Sequence, residues 1–190
     1  MPKVEKPVTK WLIAILVILV ISFIFYLNLK PFLADIHYRK ALELKRNIYY
    51  DEAVNELKKA IYWDYSYALY HKTLGELYTT MYIFRKDKKL IENAINELKI
   101  STNLNPNDGF SFASLGWAYY YKNDYSNAEK YFKISLEKDP LNSYFYYSLG
   151  ILYKSLNRLI EAEYNLKKSL EIIFNNLAKQ ALEEINTIKK

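Results

Sequence analysis

Residues 109–142 read GFSFASLGWAYYYKNDYSNAEKYFKISLEKDPLN, and the 34 that follow, 143–176, read SYFYYSLGILYKSLNRLIEAEYNLKKSLEIIFNN. Laid over one another, Leu115, Gly116, Tyr119, Ala128 and Ser135 fall on Leu149, Gly150, Tyr153, Ala162 and Ser169. Toward the N-terminus the same pattern opens with Leu74, Gly75 and Tyr78 and closes with Ala94, Leu98, Ser101 and Pro106, with about seven extra residues inside it. A more divergent copy keeps Ala41, Leu44, Tyr50, Ala53, Leu57 and Ala60. A fixed period of this length predicts stacked helical hairpins, each burying its apolar face only against its neighbours.

The small residues have a mechanical reason. Glycine at the eighth position of a copy and alanine at the twentieth let the two helices of a hairpin approach closely, where a larger side chain would push them apart. Asn105-Pro106-Asn107-Asp108 and Asp139-Pro140-Leu141-Asn142 end one hairpin and start the next: proline stops a helix, and Asp or Asn accepts from the free N–H groups of the following one. After the last copy, Leu177, Ala181, Leu182, Ile185 and Ile188 form an apolar stripe, with Lys179, Glu183, Glu184 and Thr187 turned to water. That segment predicts a helix closing the end of the stack.

The succession Leu-Gly-x-x-Tyr, then Ala, then Ala or Ser, then Pro resembles the tetratricopeptide repeat. The resemblance implies an all-α, right-handed superhelical solenoid of about four helix-turn-helix hairpins. They run over 34–67, 68–108, 109–142 and 143–176, followed by a capping helix at 177–190. The third copy matches almost throughout; the fourth has Phe174 where proline is usual. In this family, positions 2, 5, 9 and 12 of each first helix line a concave groove that binds a partner. Carried over, these are Tyr38 and Leu42; Leu69, Lys72, Glu76 and Thr79; Phe110, Ala113, Trp117 and Tyr120; and Tyr144, Tyr147 and Ile151, with Lys154 at the edge. The expected groove is aromatic over its C-terminal half and suits a peptide or an amphipathic helix, since rigid rings give much contact area at low entropic cost. With 20 tyrosines in 190 residues, packing of these rings against the adjacent hairpin, or self-association, is the competing expectation. Family members that grip a partner's C-terminal carboxylate carry Lys or Arg and Asn at positions 5 and 9. Tyr38, Leu42, Lys72, Glu76, Ala113 and Trp117 stand there, so a receptor of that kind is not expected.

Ahead of the repeats, Trp11 to Leu29 is 19 residues without a charge. As a helix it reaches about 28 Å, close to the ~30 Å hydrocarbon core of a bilayer. Lys10 and Trp11 on one side, and Tyr26 and Lys30 on the other, suit the two interfaces. The expectation is an uncleaved transmembrane helix at 11–29, a basic tail at 1–10, and a short linker at 30–33 in which Pro31 breaks the helix. A cleaved secretion signal is the alternative, disfavoured by the length of the run and by the lack of a small-x-small site after it. Lys3, Lys6 and Lys10 favour a cytoplasmic tail with an extracytoplasmic repeat domain, although Lys30, Arg39 and Lys40 balance them in number.

From Lys30 onward 24 basic residues face 20 acidic ones, a mild surplus without the clustered stripe that nucleic-acid binding needs. The densest group, Arg85, Lys86, Lys88 and Lys89, lies in the insert, where it reads either as a basic contact for anionic headgroups or an acidic partner, or as a solvated hairpin tip. The extra residues themselves can lengthen each helix of that hairpin by one turn. Catalysis finds no support. There is no cysteine, no nucleophile elbow, no phosphate-cradling glycine loop and no metal-binding histidine motif, and His37 and His71 occupy core positions of their repeats. No catalytic residue, cofactor or metal is expected. The sequence therefore reads as a single-pass membrane-anchored adaptor that organises protein partners in the cell envelope. Two alternatives stay open: an accessory module of envelope polysaccharide assembly that stacks its rings on sugars, and a self-assembling homo-oligomer.

Overall fold

Helices of the chain start behind an Asp or Asn whose side chain accepts from the first free N–H groups, at Asp87, Asp108, Asp124 and Asn142. The computed structural model describes residues 7–174 and 176–188. Its elements are α1 (Pro7–Arg46), α2 (Tyr50–Trp63), α3 (Ala68–Arg85), α4 (Lys88–Leu104), α5 (Gly109–Tyr121), α6 (Tyr125–Lys138), α7 (Ser143–Ser155), α8 (Leu159–Ile172) and α9 (Asn176–Ile188). No strand occurs among the described residues. Lys3 and Lys6 of the expected basic tail, and the last two lysines of the expected capping segment, lie outside them. The chain divides into two compact units, one ending at Tyr65 and the other beginning at Ser66.

In the first unit α1 packs on α2. The expected linker at 30–33 is not a linker: Pro31 sits inside the 40-residue α1, which runs unbroken from the apolar segment into the first hairpin. Proline removes one amide donor, so the carbonyl of Leu27 loses its helical partner there. Helical geometry persists because α1 packs on α2 just beyond Pro31, where Ala34 and Ala41 of α1 and Ala53, Leu57 and Ala60 of α2 are all buried. The apolar part has a mean hydropathy of 2.9 over its best window and none of that window is buried, so this helix is long and apolar enough to cross a membrane. Its Asn28 amide donates to the carbonyl of Ile24 at 2.8 Å, which satisfies a polar group inside the apolar stretch. Lys30 Nζ lies 4.9 Å from the Tyr26 ring centre at the end of the run.

Glu56 on α2 is buried and takes three partners. His37 Nδ1 is 2.6 Å from one oxygen, while Lys40 and Lys59 donate to the other at 3.2 and 3.0 Å. Burial works to raise this carboxyl, but the hydrogen bonds from His37, Lys59 and Lys40 outweigh it and hold its pKa at about 2. His71 is 1 % exposed and stands 2.7 Å from Glu97 in the same way. Both pairs join a first helix to a second, 19 and 26 residues apart; the difference is the length of the insert.

The second unit holds three hairpins, α3–α4, α5–α6 and α7–α8, and α9, which packs on α8 and α7. At each crossing a glycine meets a large side chain. A Cβ on Gly116 would stand 2.6 Å from Phe132, and on Gly75 and Gly150 2.5 and 2.7 Å from Leu98 and Leu166, so overpacking follows any substitution there. Asp108 accepts from the amide of Phe110 and Asn142 from that of Tyr144, each at 3.1 Å, so both start their helices as side-chain caps. Serines tie the open ends of the hairpins: Ser101 donates to the carbonyl of Ala68 at 2.9 Å and Ser143 to that of Ser169 at 3.0 Å. The insert goes into length. α3 and α4 have 18 and 17 residues against 13 and 14 in the next two hairpins.

The terminal helix departs from the expected stripe. Ala178, Ala181 and Ile185 are buried, whereas Leu177 and Ile188 are each 59 % exposed. The buried face is rotated toward the smaller residues, which lets α9 lie close against α8, and the ion pair of Lys154 with Glu184 ties it to α7.

Candidate functional site

Three first helices of the second unit, α3, α5 and α7, share one face, and between them lies a cavity of about 400 Å³. Glu76, Thr79, Thr80 and Ile83 line it from α3, Ser114, Trp117 and Tyr121 from α5, and Tyr144 and Tyr147 from α7. Helical spacing puts them there: side chains three, four and seven apart share a stripe. Trp117, Tyr144 and Tyr147, with Glu76 and Thr79, all among the residues carried over to the expected groove, lie together around this cavity. Thr80, Ile83, Ser114 and Tyr121 are additions. Each extends the same stripe, and the sequence signal for them was the extra helical turn in α3 and the breadth of a helix face.

The other expected groove residues are dispersed. Phe110 and Tyr144 stack at 6.2 Å and line a second cavity of about 660 Å³ with Leu141, Asn142, Ser143, Ile173, Phe174 and Asn176. Tyr120 is turned toward Tyr125 and shares a 2.7 Å hydrogen bond with Ser155. Leu69 and Ile151 are half-buried and line neither cavity. Lys72 is engaged by Asp108 at 3.1 Å, with its ammonium 5.9 Å from the Phe110 ring centre. Ala113 is fully buried, so it offers no surface. Tyr38 and Leu42 belong to the first unit, where Leu42 borders a shallow depression with Arg39, Glu43 and Arg46.

Trp117 is both wall and structure. Its ring meets Phe132 edge-on at 5.3 Å, and its indole N–H donates to Ser148 on α7 at 3.2 Å. Replacing it disturbs packing as well as the cavity. Tyr147, half-buried, is the cleaner probe of the cavity. The Tyr144 hydroxyl is pushed up to about 12, by burial first, with the Glu76 carboxylate adding to it. Tyr147 and Tyr121 are raised as well, by burial and by their tyrosine neighbours. At neutral pH these phenols are uncharged, which makes Glu76 the single charged side chain of the lining.

The basic group stands apart from both cavities. Arg85 ends α3, Lys86 takes a left-handed conformation at φ 57°, and Lys88 and Lys89 begin α4; all four are exposed. Among the described residues no group of three or more His, Asp or Glu side chains is arranged to hold a metal ion.

Residues 34–67 and 111–140 match one profile of the tetratricopeptide repeat, and residues 131–164 match a second. The chain carries tetratricopeptide repeats. Solved structures give the same architecture. MamA residues 41 to the end from Desulfovibrio magneticus RS-1 superposes with a TM-score of 0.67 at 16% identity, covering 82% of this chain and 85% of that one. PilF of Pseudomonas aeruginosa superposes at 0.73 with 17% identity, over 84% of this chain and 70% of its own. The first repeat domain of Spaghetti (RPAP3), bound to the HSP90 peptide SRMEEVD, superposes at 0.56 with 20% identity, over 64% and 94%. Nothing among curated proteins matches the sequence. The likeness to these structures is one of fold.

Proposed function

We propose that this chain is a membrane-anchored adaptor whose tetratricopeptide repeats capture a protein segment in the cavity between α3, α5 and α7. The observation that supports it best is the lining itself: four aromatic side chains, a tryptophan among them, gathered from two hairpins around about 400 Å³ of open space. Buried aromatic anchors supply most of the energy at protein interfaces, and a concave apolar site with a few polar groups is where a ligand gains most. A related fold holds a peptide. This cavity differs from a carboxylate receptor, because its only charge is negative and Lys72 is already paired. The apolar half of α1 supplies the anchor, and restriction to two dimensions raises the effective concentration beside membrane partners. The tail at 1–10 stays in the cytoplasm in this reading, and the repeats lie outside.

Replacing Tyr147 with Ala is expected to abolish co-purification of the partner from solubilised membranes and to leave the melting temperature nearly unchanged. Retained capture contradicts the assignment of the site. The anchor is read separately: resistance to alkaline extraction with an intact N-terminus is expected, whereas a mature chain lacking residues 1–29 identifies a secretion signal instead. A C-terminal reporter fusion settles the side of the membrane.

A further inference from the structure

The hydrogen-bond inventory of the cavity is lopsided. Thr79 donates its hydroxyl proton to the carbonyl of Gly75 at 2.9 Å and Thr80 to that of Glu76 at 3.0 Å. Ser114 donates to the Glu76 carboxylate at 2.7 Å, and the Trp117 indole N–H is spent on Ser148. What these groups still offer is lone pairs: three hydroxyl oxygens and a carboxylate of which one oxygen accepts from Ser114, while the hydroxyls of Tyr121, Tyr144 and Tyr147 can both donate and accept. No lysine, arginine or histidine lines the space. Lys72, one turn before Glu76 on α3, is engaged by Asp108, and Lys154 of α7 by Glu184. A site whose one charge is a carboxylate, walled by Trp117, Tyr121, Tyr144 and Tyr147, favours a cation. A cation carrying N–H donors satisfies the lone pairs and the carboxylate, and its charge and alkyl stem are both favoured beside aromatic rings.

We propose that the cavity receives a lysine or arginine side chain of the partner protein, its ammonium or guanidinium paired with Glu76 and its stem lying along Trp117 and Tyr147. This rests on the reading of the cavity as the docking site and names the chemistry of the residue that enters it. An acidic or C-terminal carboxylate segment is disfavoured by the charge of the site, since Glu76 repels it and no lysine, arginine or histidine of the lining offsets that.

The full chain in non-ionic detergent micelles, labelled with ¹⁵N, is titrated with butylguanidinium chloride, butanol and sodium butyrate. The Trp117 indole N–H signal is followed. Butylguanidinium is expected to shift it saturably, butanol at least tenfold more weakly, and butyrate not at all. Glu76→Gln is expected to weaken the guanidinium about tenfold with its melting curve unchanged. Equal responses to the cation and the alcohol, or an unaltered affinity in Glu76→Gln, overturn the proposal while leaving the cavity as an apolar docking site. No response to any of the three probes overturns it as well. Loss or retention of partner capture in Tyr147→Ala reports on the docking site itself, so the two failures are read apart. The comparison of the three probes on the unaltered chain decides the matter even if Glu76→Gln fails to fold.

Discussion

Ile48 turns the first hairpin with φ at 67°, in the left-handed region, and Lys86, Asn123 and Asn157 occupy the matching turns of the other three at 57°, 66° and 56°. Asparagine tolerates that conformation, whereas a β-branched residue crowds its own backbone there, at a cost of roughly 1–2 kcal/mol. Ile48 is 71 % exposed, so it recovers little of this by burial. Ile48→Asn is therefore expected to stabilise the α1–α2 hairpin by about 1 kcal/mol. The ¹⁹F signal of fluorotryptophan at Trp63 during urea unfolding checks it, and an unmoved midpoint contradicts the assigned strain. Residue-level features of this kind were only partly legible. The glycines that admit Phe132, Leu98 and Leu166 announced themselves by their spacing, because sterics at a helix crossing allow little else. The dual role of Trp117 did not: which side of a ring meets Phe132 and which meets open space depends on how neighbouring hairpins stack.

Among the elements, α1 carries the widest departure from expectation. Proline normally ends a helix, yet the packing of Ala34 and Ala41 on α2 keeps α1 helical through Pro31, so the apolar segment and the first hairpin share one continuous element. The same hairpin holds a titration signature. Glu56 has an ordinary pKa near 4.5 and is held at about 2 when folded, so its contribution is fully present above about 4.5 and is lost as pH falls from there through 2. The stability of α1–α2 is expected to decline across that window, with the slope flattened in Glu56→Gln; a variant as acid-sensitive as the unaltered chain contradicts this. The partnership of Glu56 with His37, and of Glu97 with His71, was hidden in the sequence by the insert, which displaces the second pair by its own length. The apolar stripe of α9 was misjudged by one side of the helix, since alanines count for little in hydrophobicity but allow the closest packing.

At the scale of the whole molecule, a repeat that buries its apolar faces against neighbours leaves one surface of its first helices uncovered, and this chain furnishes that surface with tryptophan and tyrosine. The repeat period could be read from five or six residues per copy, because it reflects local sterics that recur. The cavity could not be delimited so far, because it depends on residues from three helices and on the added turns of α3. An aromatic recess with one carboxylate, on a chain whose first helix is long and apolar enough to cross a membrane, is the basis of the proposal that this protein holds another protein in place. Photo-crosslinking in native membranes tests this most directly. A benzoylphenylalanine is placed at Tyr147, and a control at Tyr164, which is 59 % exposed on α8. A discrete adduct with a different protein from position 147, absent from 164, is the predicted result; identical adducts from both positions, or adducts only between copies of the chain, contradict it.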